Sequence, residues 1–378
     1  MVKTYFVGKT NFSTVWIIMT GITFLCFQAC EKEDNTPAIC YNCPHGHDYD
    51  LTEMQDYFLA GNLKGLDDAH FRDGQGDIAR FLNPRGIAVD TFGNVYVSDI
   101  STIRKINTDG IVTTLAGRSV MNDVEYADGW TAAFNNTVDV GVDGQGNVYV
   151  ADFNNHLIRK ISPVGFVTTL AGKLSYQCDY ADGQGTDAKF CSPYGIAVSV
   201  DGNVFVADGN LIRKITSDGN VTTYAGAAID EQGGDTQFGH IADLAVDMQG
   251  NVYAADNGNY NIRKITPDRM VTTVAGGTYG YVDGQGDAAS FLFFKGIAVD
   301  ANGNIYVTDE DKIRKITPEG KVTTLFGSTG SYKFIGPYGL AVDALGNVYV
   351  SDNLIPKYDL FSYTAEPGIG IIYNIGPQ

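Results

Sequence analysis

Apolar and polar positions alternate along this chain in short bursts. Val95 and Val97 flank Tyr96, Ile103 and Ile106 come next, then Val112 and Leu115. The bursts recur as a cassette reading roughly G-I-A-V-D, G-N-V-Y-V-x-D, L-I-R-K-I, D-G-x-V-T-T-L-A-G. A period of two over so few residues predicts strands, four to a cassette. The Asn of the Gly-Asn pair falls at Asn94, Asn147, Asn203, Asn251, Asn304 and Asn347, with spacings of 53, 56, 48, 53 and 43 residues. That period belongs to propellers and solenoids. Gly-Asn between the first two strands, and turns such as Asp109-Gly110, Asp218-Gly219 and Pro318-Glu319-Gly320 between the last two, supply hairpin chemistry. One four-stranded sheet cannot bury both faces alone, so six must pack around an axis, which predicts an all-β, six-bladed propeller. The centre of the first strand reads Ala88, Gly141, Ala197, Ala245, Ala298 and Ala341, small residues suited to a crowded hub.

At this point the chain resembles the NHL-repeat family of six-bladed propellers, over residues from about 52 to 378. The resemblance implies the fold far more specifically than the function, because such propellers host enzymes, RNA binders, protein binders and extracellular sensor domains. Tyr57 to Gly61, followed by Asp73 to Phe81, copies the end of a cassette, so an orphan fourth strand at the N-terminus is expected to close the ring onto the last blade. In that blade Pro356 stands where the others have Arg, and the tail Ile369 to Ile375 competes for the fourth position. The expected order is closure by the N-terminal strand with the C-terminal segment beside it.

Residues 1–29 read as a signal peptide, with Lys3 and Lys9 ahead of an apolar stretch from Val15 to Phe27. Residues 30–51 read as a lipid-anchored flexible linker. Phe27-Gln28-Ala29-Cys30 resembles a bacterial lipoprotein signal with Cys30 as the lipid attachment site, although Phe27 and Gln28 depart from its usual Leu and small residue. Glu31-Lys32-Glu33-Asp34 then reads either as an acidic tag for display on the outer face of an outer membrane or as a solvated linker. Setting aside Cys26 in the signal and Cys30, an even set of disulfide candidates remains: Cys40, Cys43, Cys178 and Cys191. Cys178 and Cys191 bracket one loop and are expected to bridge it. Cys40 and Cys43, with His45 and His47 close by, stay open between a local disulfide, one that docks the linker, free thiols and a metal site of unusual spacing.

The formal charge of −18 repels phosphate backbones and argues against nucleic acid as a partner. Two charged columns, Asp99, Asp152, Asp208, Asp256, Asp309, Asp352 and Arg104, Arg159, Arg213, Arg263, Arg314, read as a ladder holding the blades, weak where exposed, rather than as a ligand ring. The Asp-Gly-x-Gly loops at Asp73, Asp182 and Asp283, with a partial copy at Asp128, are candidate calcium loops, but each supplies only two Asp, so a structural loop plugged by Phe81, Phe134, Phe190 or Phe291 is the preferred reading. No cofactor and no metal site is assigned. The chain has five His, in no repeated column, which argues against a channel-zinc lyase of the kind some propeller families contain; His156 matches a family turn position.

Two departures from the repeat remain. Asp139 and Asp243 replace the Gly of Gly86, Gly195, Gly296 and Gly339, placing candidate carboxylates at the channel mouth, either for a cation or for backbone hydrogen bonds. Just before them the column Arg85, Val138, Tyr194, Ala242, Lys295 and Tyr338 varies while its neighbours repeat, so Arg85, Tyr194, Lys295 and Tyr338 are the candidate ligand-binding residues. The expected molecule is a monomeric, non-enzymatic binding or scaffold propeller on an exported, outward-facing lipoprotein, attached to the membrane only through lipid, with a protein or glycan partner. The alternatives are a lactone hydrolase or lyase with a channel metal held by Asp, and a purely structural envelope protein.

Overall fold

The structure is a computed structural model that describes residues 58–61, 71–118, 127–174, 178–226, 237–327, 334–353 and 370–377. Six antiparallel sheets form six blades. The first blade runs outward from Pro84–Val89 through Val95–Asp99 and Thr102–Ile106 to Ile111–Gly117. The inner strands of the others are Thr137–Val142, Pro193–Val198, Ile241–Val246, Phe294–Val299 and Pro337–Val342, each packed on the next, the sixth back on the first. The small-residue column follows from this closure: a Cβ on Gly141 would lie 2.7 Å from Val198 Cγ2 of the next blade. The cores lie between blades, where Ala298 and Tyr306 of the fifth, for example, pack on Leu340 and Val350 of the sixth.

The hairpin joining the first two strands is wired by one carboxylate. Asp90 accepts from the Phe92 and Asn94 amides, from Asn94 Nδ2 and from Tyr96 Oη, while Gly93 takes the left-handed φ of 82° that the turn requires. The same set recurs from Asp143, Asp247, Asp300 and Asp343. The third blade replaces both ends together, with Ser199 for the acid and Phe205 for the phenol, so no buried hydroxyl loses its acceptor.

Ring closure follows the expected order. Phe58–Ala60 pairs with Gly370–Pro377, which pairs with Asn347–Asn353 of the sixth blade. The tail does not compete for the fourth position, however: it occupies the third, beside the second strand, and leaves the fourth to the N-terminal strand. Pro356, with residues 1–57, lies outside the described residues. The Asp-Gly-x-Gly loops also add more than turns: Gly74–Gln75, Gly183–Gln184 and Gly284–Gln285 form short fifth strands on the first, third and fifth blades.

The charged columns are not an exposed ladder. Arg104, Arg159, Arg213 and Arg314 are among the most completely buried side chains described. Arg213 is typical: Nη1 donates to Lys189 O and to Asp208 Oδ2 at 3.3 Å, and Nη2 to Ala181 O and to Asp182 Oδ1 at 2.7 Å. Its guanidinium lies 5.2 Å from the Phe190 ring centroid. Burial pushes Asp208 up and the Ser192 amide and Arg213 hold it back; the partners Asp99, Asp152, Asp256 and Asp309 are also pushed up by burial. A guanidinium in this position links the second strand, the third strand and the link that enters the blade. Arg213→Ala leaves Asp208 buried without its counter-ion and is expected to cost about 3–5 kcal/mol, read as a fall in the urea midpoint at unchanged slope; Arg213→Lys is expected to restore little of it, since an ammonium cannot span both carboxylates and both carbonyls.

Candidate functional site

At the hub, neighbouring inner strands are stapled by two devices. In the first, a hydroxyl on the second strand accepts from its own inner strand and donates to the next blade: Ser98 accepts from Gly86 N and donates to Val138 O, Thr308 bridges Gly296 and Tyr338, and Ser351 bridges Gly339 and Arg85. In the second, the inner strand carries the polar group. Asp139 Oδ2 accepts from Ile196 N at 2.6 Å, and Asp243 Oδ2 accepts from Ile297 N at 2.9 Å. Where these acids stand, the second strand has Ala151 or Ala255 in place of the hydroxyl. The third blade, with Gly195 and Ala207, has neither side chain.

The two acids converge. Asp139 and Asp243, on the second and fourth blades, are both buried and hydrogen-bond to each other. Glycine is required beside them: a Cβ at Gly86 would sit 2.1 Å from Asp139 Oδ1, and one at Gly195 2.6 Å from Asp243 Oδ1. Burial pushes Asp139 up to about 6, against the amides of Ile196 and Val140. Burial, and then the charge of Asp139, carry Asp243 well above the usual carboxylate range. Two carboxyls so close share a proton rather than both ionise.

The variable column lies directly over this pair. Tyr194 and Tyr338, from the third and sixth blades, meet hydroxyl to hydroxyl across the channel. Arg85 lies 5.7 Å from the Tyr338 ring and donates to Asn136 Oδ1 at 3.0 Å, while Phe153 and His240 pack edge-on against Tyr194. Lys295 lines the same opening. Between the tyrosine bridge and the carboxyl pair is a cavity of about 10 Å³, roughly one water molecule's worth. Beyond the pair the channel widens to about 160 Å³ along strand segments such as Ile87 to Val89. Arg85, Tyr194, Lys295 and Tyr338 thus gather at one opening, but two of them are bonded to each other across it.

The other sequence candidates fall elsewhere. Cys178 and Cys191 are joined as a disulfide, Cα to Cα 4.2 Å. In the Asp-Gly-x-Gly loops the first carboxylate is already engaged: Asp73 accepts from Arg104 and from both the amide and hydroxyl of Thr114, and Asp128, Asp182 and Asp283 repeat this with Arg159, Arg213 and Arg314. Burial notwithstanding, the bonds from Thr223 and Arg213 leave Asp182 below its usual range. A guanidinium at 2.7 Å disfavours a cation there, so these loops lock the outer strand and the calcium reading loses its ligands. Among the described residues no three His, Cys, Asp or Glu converge. His156 caps the turn after Phe153–Asn155 at φ 57°. Asp352, the acid of the closing blade, takes the amides of Ile335 and Gly336, and burial pushes it to about 6 despite these and Lys295. Cys30, Cys40, Cys43, His45, His47 and His70 lie outside the described residues.

A model of the Teneurin NHL domain matches residues 62–127 and 171–230, and one of the NHL repeat matches 134–161. Over these segments the chain is similar to NHL-repeat propellers. Its sequence is 26% identical to mouse Teneurin-3 over 226 residues, 54% of this chain and 8% of that protein, and 28% identical to Drosophila melanogaster Teneurin-m over 294 residues, 68% of this chain and 10% of that protein. The matched region therefore spans a tenth or less of the length of these relatives. Among solved structures, auxiliary nutrient binding proteins from Bacteroides thetaiotaomicron and Bacteroides ovatus superpose with TM-scores of 0.59 and 0.58 at 14% and 15% identity, each over 84% of this chain and 76% of that one. A gluconolactonase from Xanthomonas campestris superposes at 0.51 and 14% identity, over 80% and 91%. At these identities the likeness is one of fold.

The carboxyl pair gives the propeller a defined pH response. A folded pKa raised above the unfolded value contributes stability that is complete below about 4 and is lost as pH rises through about 6. Between those two values each pH unit costs about 1.4 kcal/mol, roughly 3 kcal/mol in all, and the loss levels off above the folded pKa. Asp139→Asn is expected to flatten this loss, so that the difference in unfolding free energy between variant and parent moves in the variant's favour from pH 5 to pH 8; the Asp352 contribution is common to both and cancels. A parallel pair of pH profiles would overturn the assignment.

Proposed function

We propose that this chain is a non-enzymatic binding or scaffold propeller, exported as a lipoprotein through Cys30 and facing outward from the outer membrane, that recognises a protein or glycan partner on the face bearing Arg85, Tyr194, Lys295 and Tyr338. The observation that carries this reading is the use already made of the groups best suited to chemistry. Asp139 and Asp243 are bonded to main-chain amides and to each other, and the tyrosine bridge above them leaves about 10 Å³, too little for a substrate. The opening itself offers aromatic and cationic side chains whose types differ from blade to blade, as in a recognition surface. The nutrient binding proteins of Bacteroides are of similar fold. A disulfide between Cys178 and Cys191 accords with an oxidising compartment, and the charge of −18 disfavours nucleic acid.

The competing reading is a lactone hydrolase or lyase with a channel metal on Asp139 and Asp243, reached from the 160 Å³ side of the pair. Elemental analysis of the tag-free protein separates the two. The binding reading expects less than about a tenth of a metal ion per chain, and one stoichiometric ion lost in Asp139→Asn would overturn it. Export and anchoring are tested apart from this: palmitate label is expected on the parent and absent from Cys30→Ser, and a membrane-impermeant amine reagent is expected to modify the protein on intact cells.

A further inference from the structure

The tyrosine bridge directs attention away from the channel axis, to the blade-to-blade links of the same face. Between the fourth and fifth blades the link presents Tyr279, 71% exposed, and Tyr281, 41% exposed, with Phe293, 45% exposed, at its end. Tyr279 meets Tyr260 edge to face, ring centroids 5.4 Å apart at 77°. Exposure here is not looseness. Gly277 N donates to Tyr260 O, Gly280 N to Phe291 O and Phe291 N to Thr278 O, which pins the main chain on both sides of Tyr279. Glu310 is tied to Phe293 through the main chain, its amide donating to Phe293 O at 3.0 Å, and Asp311 holds Lys312 at 2.6 Å with that ammonium 4.0 Å from the Tyr281 ring centroid. Burial, and then Asp311 and Glu310, push the Tyr281 phenol up, as expected where carboxylates crowd a ring edge.

Tyr281 stands two residues before the loop aspartate, like Phe71 and Tyr180, and is part of the blade. Tyr260 and Glu310 occupy the turn between second and third strands, at φ 53° and 59°, a left-handed position held by Ile100 and His156 in the first two blades and by Gly209 in the third, and of these blades only the fourth places a phenol ring there against the link.

We propose that Tyr279, Tyr260, Phe293 and Glu310 form a binding site for a neutral saccharide. Two rings set at nearly a right angle make a corner whose electron-rich faces suit the C–H face of a pyranose, and Tyr supplies that surface at low entropic cost. Glu310 and Asp311 accept from sugar hydroxyls, and they and the chain's charge of −18 reject polyanionic chains. This deepens the binding reading above and rests on it.

The test is native affinity electrophoresis of the full mature protein in gels containing dextran, galactomannan, xyloglucan or laminarin, followed by calorimetry with the matching oligosaccharide. At least one neutral polysaccharide is expected to retard the parent. Tyr279→Ala and Tyr260→Gly are expected to weaken that binding by about tenfold or more with melting temperature unchanged or, for Tyr260→Gly, raised. Trp130→Ala, an equally exposed aromatic on the second blade, is expected to bind as the parent does. Retardation unaffected by Tyr279→Ala would overturn this site while leaving a binding propeller intact. Retardation by none of the four would overturn the saccharide and point the face to a protein partner.

Discussion

A guanidinium removed from water must find acceptors for its terminal nitrogens inside the protein, and that requirement organises these blades. Arg104, Arg159, Arg213 and Arg314 each draw in an aspartate from the second strand, two carbonyls and an aspartate from the preceding link, and lie against a phenylalanine that follows in the same link. Removing water raises the cost of any missing contact, so the link cannot drift without exposing the charge to an unfavourable interior. The links thereby acquire fixed positions although they lie at the surface. The pinned tyrosines between the fourth and fifth blades rest on such a link, and their order is borrowed from the arginine beneath it, Arg314, which bonds Asp283 and the carbonyl of Val282.

The hub shows a different economy of polar groups. Inner strands present one uncovered main-chain edge to the axis, and the molecule covers it at every seam but the one after the third blade, with a hydroxyl from the second strand or a carboxyl from the first. The acids at 139 and 243 are therefore one solution to a recurring geometric problem, and their encounter across Gly195 is a by-product of placing that solution in alternate blades. A shared proton lets both remain where two negative charges would not.

Much of this was legible in the sequence. The strand period, the near-fifty-residue repeat and the orphan Phe58–Ala60 strand follow from alternation and turn residues alone, since backbone pairing depends on pattern more than on identity. Burial of the arginines was not legible, because hydropathy ranks Arg as a surface residue and only the stacked phenylalanines and converging loop carboxylates reverse that. A signal for the hub acids did exist. Ala151 and Ala255 interrupt the column held by Ser98, Thr308 and Ser351 in the same blades that gain Asp139 and Asp243. The Ser199 and Phe205 exchange is a signal of the same kind, visible only when two columns are read together. The tyrosine corner was hidden for the opposite reason, since it lies in a link where the repeat has no fixed pattern to depart from.

One blade contains strands from both ends of the sequence. Phe58–Ala60 emerges early during synthesis, yet its partner Gly370–Pro377 appears long afterwards. Until then five wedges form an arc with two raw apolar flanks, one of them the surface around Ile87 and Val97 that Ala341 and Tyr349 later cover. Synthesis therefore has to shelter an unlatched intermediate, and a break before Gly370–Pro377 would leave Phe58–Ala60 without its partner.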